Sequence, residues 1–527
     1  MTATIADTRL PCTEPAGIYR LLNQLDRPLY VVQTPVGPAV TDELPADQAG
    51  LLAATGPLPP ERLGSAAFRH RHGVRNTYVA GAMAGGIASE DLVTAIAQAG
   101  CLGSFGAAGL LPERVEQALR RFARDLPRLP FAVNLIHSPS EAALERDCVD
   151  LLLCHRVRCV EASAFLNLTP HLVRYRLAGL RRGADGSVEI ENRVIAKVSR
   201  PEVAEQFLRP APEAIVEDLL VAGRITAEQA ELARRVPVAD DITAEADSGG
   251  HTDRRPLTAL VPALLSLRDR VQREQGYQQP IGLGVAGGIG TPRALAAAYA
   301  LGADYVVIGS VHQSCVESGT SPAVRAMLAA AGIADFAMAP AADMFELGVE
   351  LQVLKKGTLF PMRAKRLLEL YRAYDGLEAL PSAERERLER QLFRRPTVDI
   401  WAEVETYFTR RDPDQLRRAA ESPRRKMALV FRWYLGMASR WATTGDPARM
   451  ADYQVWCGPA MGAFNDWVRG SRLEAVEHRR VADVASELLH GAAFTARVQQ
   501  LALAGVRLPA AASEYRPASA KLPVRVS

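Results

Sequence analysis

Between about Arg75 and residue 345, short β-rich runs alternate with stretches dominated by Ala, Leu, Glu and Arg. That alternation constrains the fold most, because a helix returning between two strands favours parallel pairing and a sheet covered by helices. The strand candidates are Thr77–Ala82, Cys101–Gly106, Phe131–Ile136, Arg158–Ala162, Val194–Val198, Asp241–Ala246, Ile281–Ala286 and Asp304–Ile308. Helix candidates fall between them at Ser89–Ala99, Pro112–Arg124, Ser140–His155, Arg200–Leu208, Leu257–Arg273 and Thr291–Leu301, several opened by Ser, Thr or Pro at a cap position. Eight strands in about 240 residues is the arithmetic of an α/β (β/α)8 TIM barrel, with an open doubly wound sheet as the competing arrangement.

The remainder of the 527 residues reads as attachments. Residues 1–72 form a small N-terminal domain, with a helix expected over Gly17–Leu25, a strand over Pro28–Gln33 and Pro-rich turns to Pro60. The barrel is expected over 73–360. Beyond about residue 345 the strand signals stop. Helical periodicity follows at Met362–Tyr374, Ser382–Phe393, Val398–Phe408, Asp414–Ala420, Arg425–Trp441, Ala460–Gly470 and Val481–Leu503. These give an all-helical insertion subdomain over 361–447, C-terminal helices packing back on the barrel over 448–505, and a flexible tail over 506–527. All five Trp lie in this region, as core anchors of helical packing or as a wall facing a ligand.

Composition narrows the class. Hydrophobic residues make up 48% and charged residues 23%, which excludes a wholly disordered chain. Lys and Arg outnumber Asp and Glu by 63 to 60, and 6% of residues are aromatic, so a uniformly basic nucleic-acid binder is excluded too. Seven Cys scattered through so long a chain are not a disulfide framework. With no leader pattern and no apolar run of membrane-spanning length, a cytoplasmic setting without a membrane or nucleic-acid partner is expected.

The chemistry-bearing residues gather at the ends of the expected strands. Gly282-Leu-Gly284-Val-Ala-Gly287 formally fits a dinucleotide fingerprint, but the next helix starts late and Asp304 begins the following strand instead of ending it. Gly287 and Gly288, with Gly309 and Ser310 one strand later, instead suit the phosphate-binding loops after strands seven and eight of a barrel. Gly81, Ala82, Met83, Ala84 and Gly85 end the first strand with small residues against which a flat ring can lie; a plain tight turn reads equally well. His251 follows Gly249 and Gly250 at the end of strand six, where barrels keep catalytic residues. Asn134, Glu161 and Lys197 fall at or near the ends of strands three, four and five, and a buried Lys197 facing an electron-rich ring would stabilise negative charge. Cys148, Cys154, His155 and Cys159 lack paired metal-ligand spacings, so no metal site is expected, and His70 and His72 read as a solvated basic linker. No P-loop, H-E-x-x-H or G-x-S-x-G occurs, and the last absence argues against an acyltransferase.

Together GAMAGGIAS at Gly81–Ser89, VNLIHSP at Val133–Pro139, ADSGGHTD at Ala246–Asp253, GVAGGIGTP at Gly284–Pro292 and GADYVVIGSVHQ at Gly302–Gln313 resemble the FMN barrel family of nitronate monooxygenases and flavin enoyl reductases. Met338–Ala364 and Tyr453–Ser471 bring the resemblance closer to the PfaD branch, the trans-acting enoyl reductases of polyunsaturated fatty acid and polyketide synthases. The resemblance implies FMN at the C-terminal face. The ring would contact the Gly81–Gly85 segment, Asn134 and Lys197, and the phosphate would meet Gly249, Gly250, Gly287, Gly288, Gly309 and Ser310. His251 matches the histidine beside the flavin and, with Lys197, is the catalytic candidate.

The activity implied is reduction of an enoyl thioester on an acyl carrier protein, with NADPH as reductant. A nitronate monooxygenase and a non-catalytic synthase assembly protein are the alternatives, and a homodimer is left open. Arg410–Lys426 holds seven basic residues against three acids, as a docking face for an acidic carrier or simply a solvated helix face.

Overall fold

The computed structural model describes residues 11–46, 48–137 and 142–518. Eight parallel strands close into a barrel: β1 (Tyr78–Ala80), β2 (Leu102–Phe105), β3 (Phe131–Ile136), β4 (Cys159–Ser163), β5 (Arg193–Val198), β6 (Asp241–Glu245), β7 (Gly282–Ala286) and β8 (Tyr305–Ile308). All eight expected strands are present, and closure rules out the open doubly wound sheet. Strands buried on both faces read as near-continuous apolar runs, which is why the pattern was visible.

The barrel interior is filled by Val79, Leu102, Ala132, Cys159, Ile195, Ala286, Tyr305 and Val307, with Phe68 rising from below. Phe68 stacks on Tyr305 with ring centroids 4.2 Å apart. Gly284 leaves room for that tyrosine ring, and Gly282 leaves room for Asp241. The first two glycines of the fingerprint-like run therefore serve internal packing, consistent with setting aside a dinucleotide reading.

Phe68 belongs to a short helix, Ala66–His72, that closes the N-terminal end of the barrel. This corrects the expectation of a solvated linker for His72, while His70 on the same helix is exposed as expected. His72 is buried with Nε2 2.7 Å from Asp241 Oδ2, and Arg71 reaches Asp241 Oδ1 at 2.5 Å. The run looked like solvent because it is basic, whereas a buried carboxylate on β6 takes its Arg71 and His72.

The N-terminal residues form a helix, Pro15–Leu22, and a three-stranded antiparallel sheet of Leu29–Thr34, Gly37–Thr41 and Leu51–Thr55. One hydrophobic core runs from this sheet through the helices around the barrel into the helical region. Helices there span Phe360–Ala373, Ser382–Arg387, Thr397–Arg411, Pro413–Glu421, Pro423–Thr444, Ala460–Val468 and Val481–Leu503. The tryptophans act as anchors: Trp433 and Trp441 pack edge-on at 6.0 Å, and the guanidinium of Arg449 lies 4.2 Å from the Trp441 ring.

Two expectations need correction. Strands do not stop near residue 345, because Gly250–His251, Glu350–Leu354 and Phe336–Pro340 form a three-stranded antiparallel sheet at the rim. Nor are residues 506–518 a loose tail: Ala512 is fully buried, Tyr515 donates to Glu487 at 2.6 Å, and Trp467 Nε1 donates to Tyr515 O at 3.2 Å. Residues 519–527 of the expected tail, Ser140 at the expected start of one helix, and the Arg410 side chain lie outside the described residues.

Candidate active site

Four neighbouring strands end in polar side chains. Asn134 on β3 sits level with Glu161 on β4, Lys197 lies two residues above the partner of Glu161 on β5, and Glu245 lies two above the partner of Lys197 on β6. That climb is the stagger a tilted barrel requires, and it brings the four into one layer at the C-terminal mouth. Asn134 Nδ2 donates to Glu161 O at 3.0 Å and to Ser163 Oγ at 2.9 Å. Glu161 Oε2 accepts from Ala82 N at 2.9 Å, which ties this layer to the Gly81–Gly85 segment.

Lys197 Nζ stands 2.8 Å from Glu245 Oε1 and 3.8 Å from Glu161 Oε1. Burial alone would lower the pKa of this ammonium, but the two carboxylates override it and hold the value above the ordinary one. Lys197 is therefore a fixed cation at the mouth. Glu245 was not singled out from the sequence, since the pairing depends on barrel register.

The Gly81–Gly85 segment folds against the loop after β2. Gly85 N donates to Ala108 O at 2.8 Å, and a side chain at Gly106 would collide with the Met83 carbonyl. Beside it, the turns after β6, β7 and β8 converge. Gly287 has φ +97°, and a Cβ there would stand 2.8 Å from the Ala246 carbonyl, so glycine is required. At Gly250, Gly288 and Gly309 an added Cβ would meet nothing within 4 Å, so these backbones face open space.

Gly249 and Ser310 are covered from above by Cys457 and Gly458, just before the helix Ala460–Val468. Gly458 N donates to Ser310 Oγ at 3.3 Å. Burial pushes the Cys457 thiol up to about 12, which fits packing and not nucleophilic attack. Sequence reading missed Cys457 and Gly458 as site residues, because they lie over 140 positions beyond Ser310.

His251 is at the mouth, on the short rim strand paired with Leu351, its side chain 39% exposed. Nε2 lies 3.0 Å from Asp343 Oδ1. Burial would depress the imidazole pKa, but Asp343, helped by Glu245, raises it above the ordinary value. Asp343 is held below the usual carboxylate range by His251 and Arg432 against its own burial. Asp343 was also missed from sequence, and nothing local to it signals a partner 92 residues away.

The geometry fits a flavin phosphate. Ser248 Oγ is buried without a hydrogen-bond partner beside Gly249, and the nearby turns at Gly250, Gly288 and Gly309 each leave the Cβ position open. Orphaned donors and a cradle with no Cβ are what an anionic group would satisfy. No cluster of His, Cys, Asp or Glu among the described residues is arranged to hold a metal, and no helix there is long and apolar enough to cross a membrane.

A family model described as nitronate monooxygenase matches residues 72–169, and one described as acyl-carrier-protein S-malonyltransferase, inserted helical domain, matches residues 374–453. The chain is 49% identical to one of the polyunsaturated fatty acid synthase subunits of Thraustochytrium sp., over 91% of this chain and 32% of that protein. It is 43% identical to polyketide biosynthesis protein PksE of Bacillus subtilis, over 90% of this chain and 60% of that one. The solved enoyl reductase domain of MlnA, from the macrolactin biosynthesis cluster of Bacillus amyloliquefaciens, superposes with a TM-score of 0.79 at 39% identity, covering 82% of this chain and 98% of that domain. The chain thus spans less than two thirds of either of these two proteins and nearly all of the solved domain.

Proposed function

Because the chain belongs to the PfaD-like enoyl reductases of the nitronate monooxygenase-like superfamily, we propose that it is an FMN-dependent oxidoreductase that reduces enoyl thioesters. In this reading it acts in trans on an acyl carrier protein in polyketide or polyunsaturated fatty acid synthesis, with NADPH as reductant. The observation that carries the reading is the Asn134–Glu161–Lys197–Glu245 layer beside glycine turns that leave an anion cradle open.

Bound FMN supplies hydride transfer, from NADPH to the β-carbon of the enoyl chain. Gly249, Gly250, Gly287, Gly288, Gly309 and Ser310, with the Ser248 hydroxyl, hold its phosphate. Gly81, Ala82, Met83, Ala84 and Gly85 would hold the ring, with Asn134 and Lys197 as its polar partners. The Lys197 ammonium, fixed by Glu245 at 2.8 Å, favours negative charge on the ring. His251, whose pKa Asp343 raises, donates the proton that the α-carbon needs once hydride reaches the β-carbon, so that one hydride and one proton add across the double bond.

The test is an anaerobic absorbance experiment. Flavin absorbance should bleach with NADPH and return on adding a trans-2-enoyl thioester. Failure of the thioester to reoxidise the flavin, together with fast turnover of alkyl nitronates in air, would move the assignment to a nitronate monooxygenase, the activity named by the match over residues 72–169. A colourless protein that does not take up FMN would favour an assembly role.

A further inference from the structure

The three-stranded rim sheet carries more than His251. Against its outer strand, Phe336–Pro340, lies the helix Phe360–Ala373, and between them opens a groove of about 500 Å³. Its floor includes Ala337 and Thr358. Leu359 and Met362 are 45% and 63% exposed on its wall, three residues apart on the first helical turn. Lys355 and Lys365 flank them, and among the described residues neither has a carboxylate at ion-pair distance. Glu369, an acid on the same wall, is taken by Arg366 at 3.2 Å, and Arg366 is shared with Glu384 at 3.0 Å. The groove thus presents two exposed apolar side chains between two ammonium groups without a direct ion pair, Asp335 acting on Lys355 only from beyond that distance.

The placement is specific. In the sheet register His251 pairs with Leu351, Leu351 pairs with Ala339, and Ala337 is two residues further on. Strand spacing and rise put Ala337 about 12 Å from His251. The basic segment at Arg410–Lys426 competes poorly. Arg425 turns inward to Glu346 at 2.7 Å and to Gln415, Arg424 pairs with Asp375 at 3.5 Å, and Lys426 lies over Trp401 and 3.9 Å from Glu378. Arg417 pairs with Asp414 at 3.3 Å. Most of that segment's charge is met within the molecule.

We propose that the groove between Ala337 and Lys365 is the docking site for an acidic acyl carrier domain, Leu359 and Met362 seating its apolar helix side chains while Lys355 and Lys365 face its carboxylates. This rests on the enoyl-thioester reading above. Charge complementarity selects the partner, and the distance to His251 is one that a carrier's extended pantetheinyl arm spans.

The test titrates a crotonylated acyl carrier protein against the full-length flavoprotein, and in parallel measures turnover of the free crotonyl pantetheine thioester. In K355E/K365E, carrier affinity should fall about tenfold and its salt dependence should flatten, while turnover of the free thioester is unchanged. M362D should weaken the carrier in the same way, and R417E/R418E should not. Equal carrier affinity for K355E/K365E and the parent, no binding by the parent, or loss confined to R417E/R418E would overturn the docking site. If no protein turns over the free thioester, the reductase reading fails, and the titration still decides whether the groove binds the carrier.

Discussion

At Gly287 and Gly309 glycine serves two different ends. Gly287 is held at φ +97° against the Ala246 carbonyl, so a substitution there strains the backbone. Gly309 has φ −117°, and a methyl group there would touch nothing within 4 Å. We therefore expect G309A to leave the thermal stability of the flavin-free protein unchanged while weakening FMN binding about tenfold or more, as read by flavin fluorescence titration. Unchanged affinity would remove the phosphate from this turn. A second residue-scale outcome concerns Asp343, which raises the His251 pKa, so the imidazolium persists to higher pH. In D343N that support is lost. The alkaline limb of the pH–rate profile should shift to lower pH, with activity retained at the acid end; an unmoved limb would remove His251 from proton donation. The glycine cluster was legible because backbone approach is written in local sequence, whereas Asp343 and Glu245 become partners only through register and topology.

At the scale of elements, β5 and β6 are fastened by a buried pair. Arg176, on the helix Pro170–Ala178, is fully buried and donates to Asp240 Oδ2 at 2.6 Å, to Asn192 O at 3.0 Å and to Pro237 O at 3.0 Å. Asp240 also accepts from Val194 N at 3.0 Å, joining the start of β5 to the residue before β6. Burial works to raise the Asp240 pKa, but Arg176, Arg193 and Arg71 hold it below the ordinary value. Its contribution is thus fully present above the unfolded carboxylate pKa of about 4 and is lost as pH falls through the lowered folded value. D240N leaves Arg176 buried without a counter-charge and should cost about 3–5 kcal/mol at neutral pH, measured by urea denaturation. A change under about 1 kcal/mol would mean the arginine finds water or another acceptor. The barrel strands were legible because most are buried apolar runs flanked by strong helix formers, even where the strand itself is as short as Tyr78–Ala80. The rim sheet was not: Gly250–His251 is two residues long, and Phe336–Pro340 is mostly Ala, Met and Pro, which carry little strand propensity.

Across the whole molecule, the N-terminal sheet, the barrel and the helical region share one hydrophobic core, and one side chain at their junction reaches five carbonyls of the N-terminal unit. Arg497, on the helix Val481–Leu503, has no exposed surface and donates to the carbonyls of Leu22, Gln24, Leu25, Arg27 and Gly56. Those carbonyls come from the end of the N-terminal helix, the turn into the first N-terminal strand and the residue after the third, so one guanidinium gathers the whole unit. Sequence reading separated this unit from the rest because Pro-rich turns look like a linker, and one arginine in a long amphipathic helix gives no sign of its destination. R497M keeps much of the apolar stem but removes every donor, leaving five acceptors facing a buried apolar group. It should cost about 3 kcal/mol in urea denaturation and expose the N-terminal sheet to limited proteolysis before the barrel yields. R497K should recover part of the loss, since an ammonium offers three donors without the planar fan that reaches separate loops. If R497M unfolds with the parent's midpoint and resists protease equally, apolar packing alone holds the N-terminal unit to the barrel.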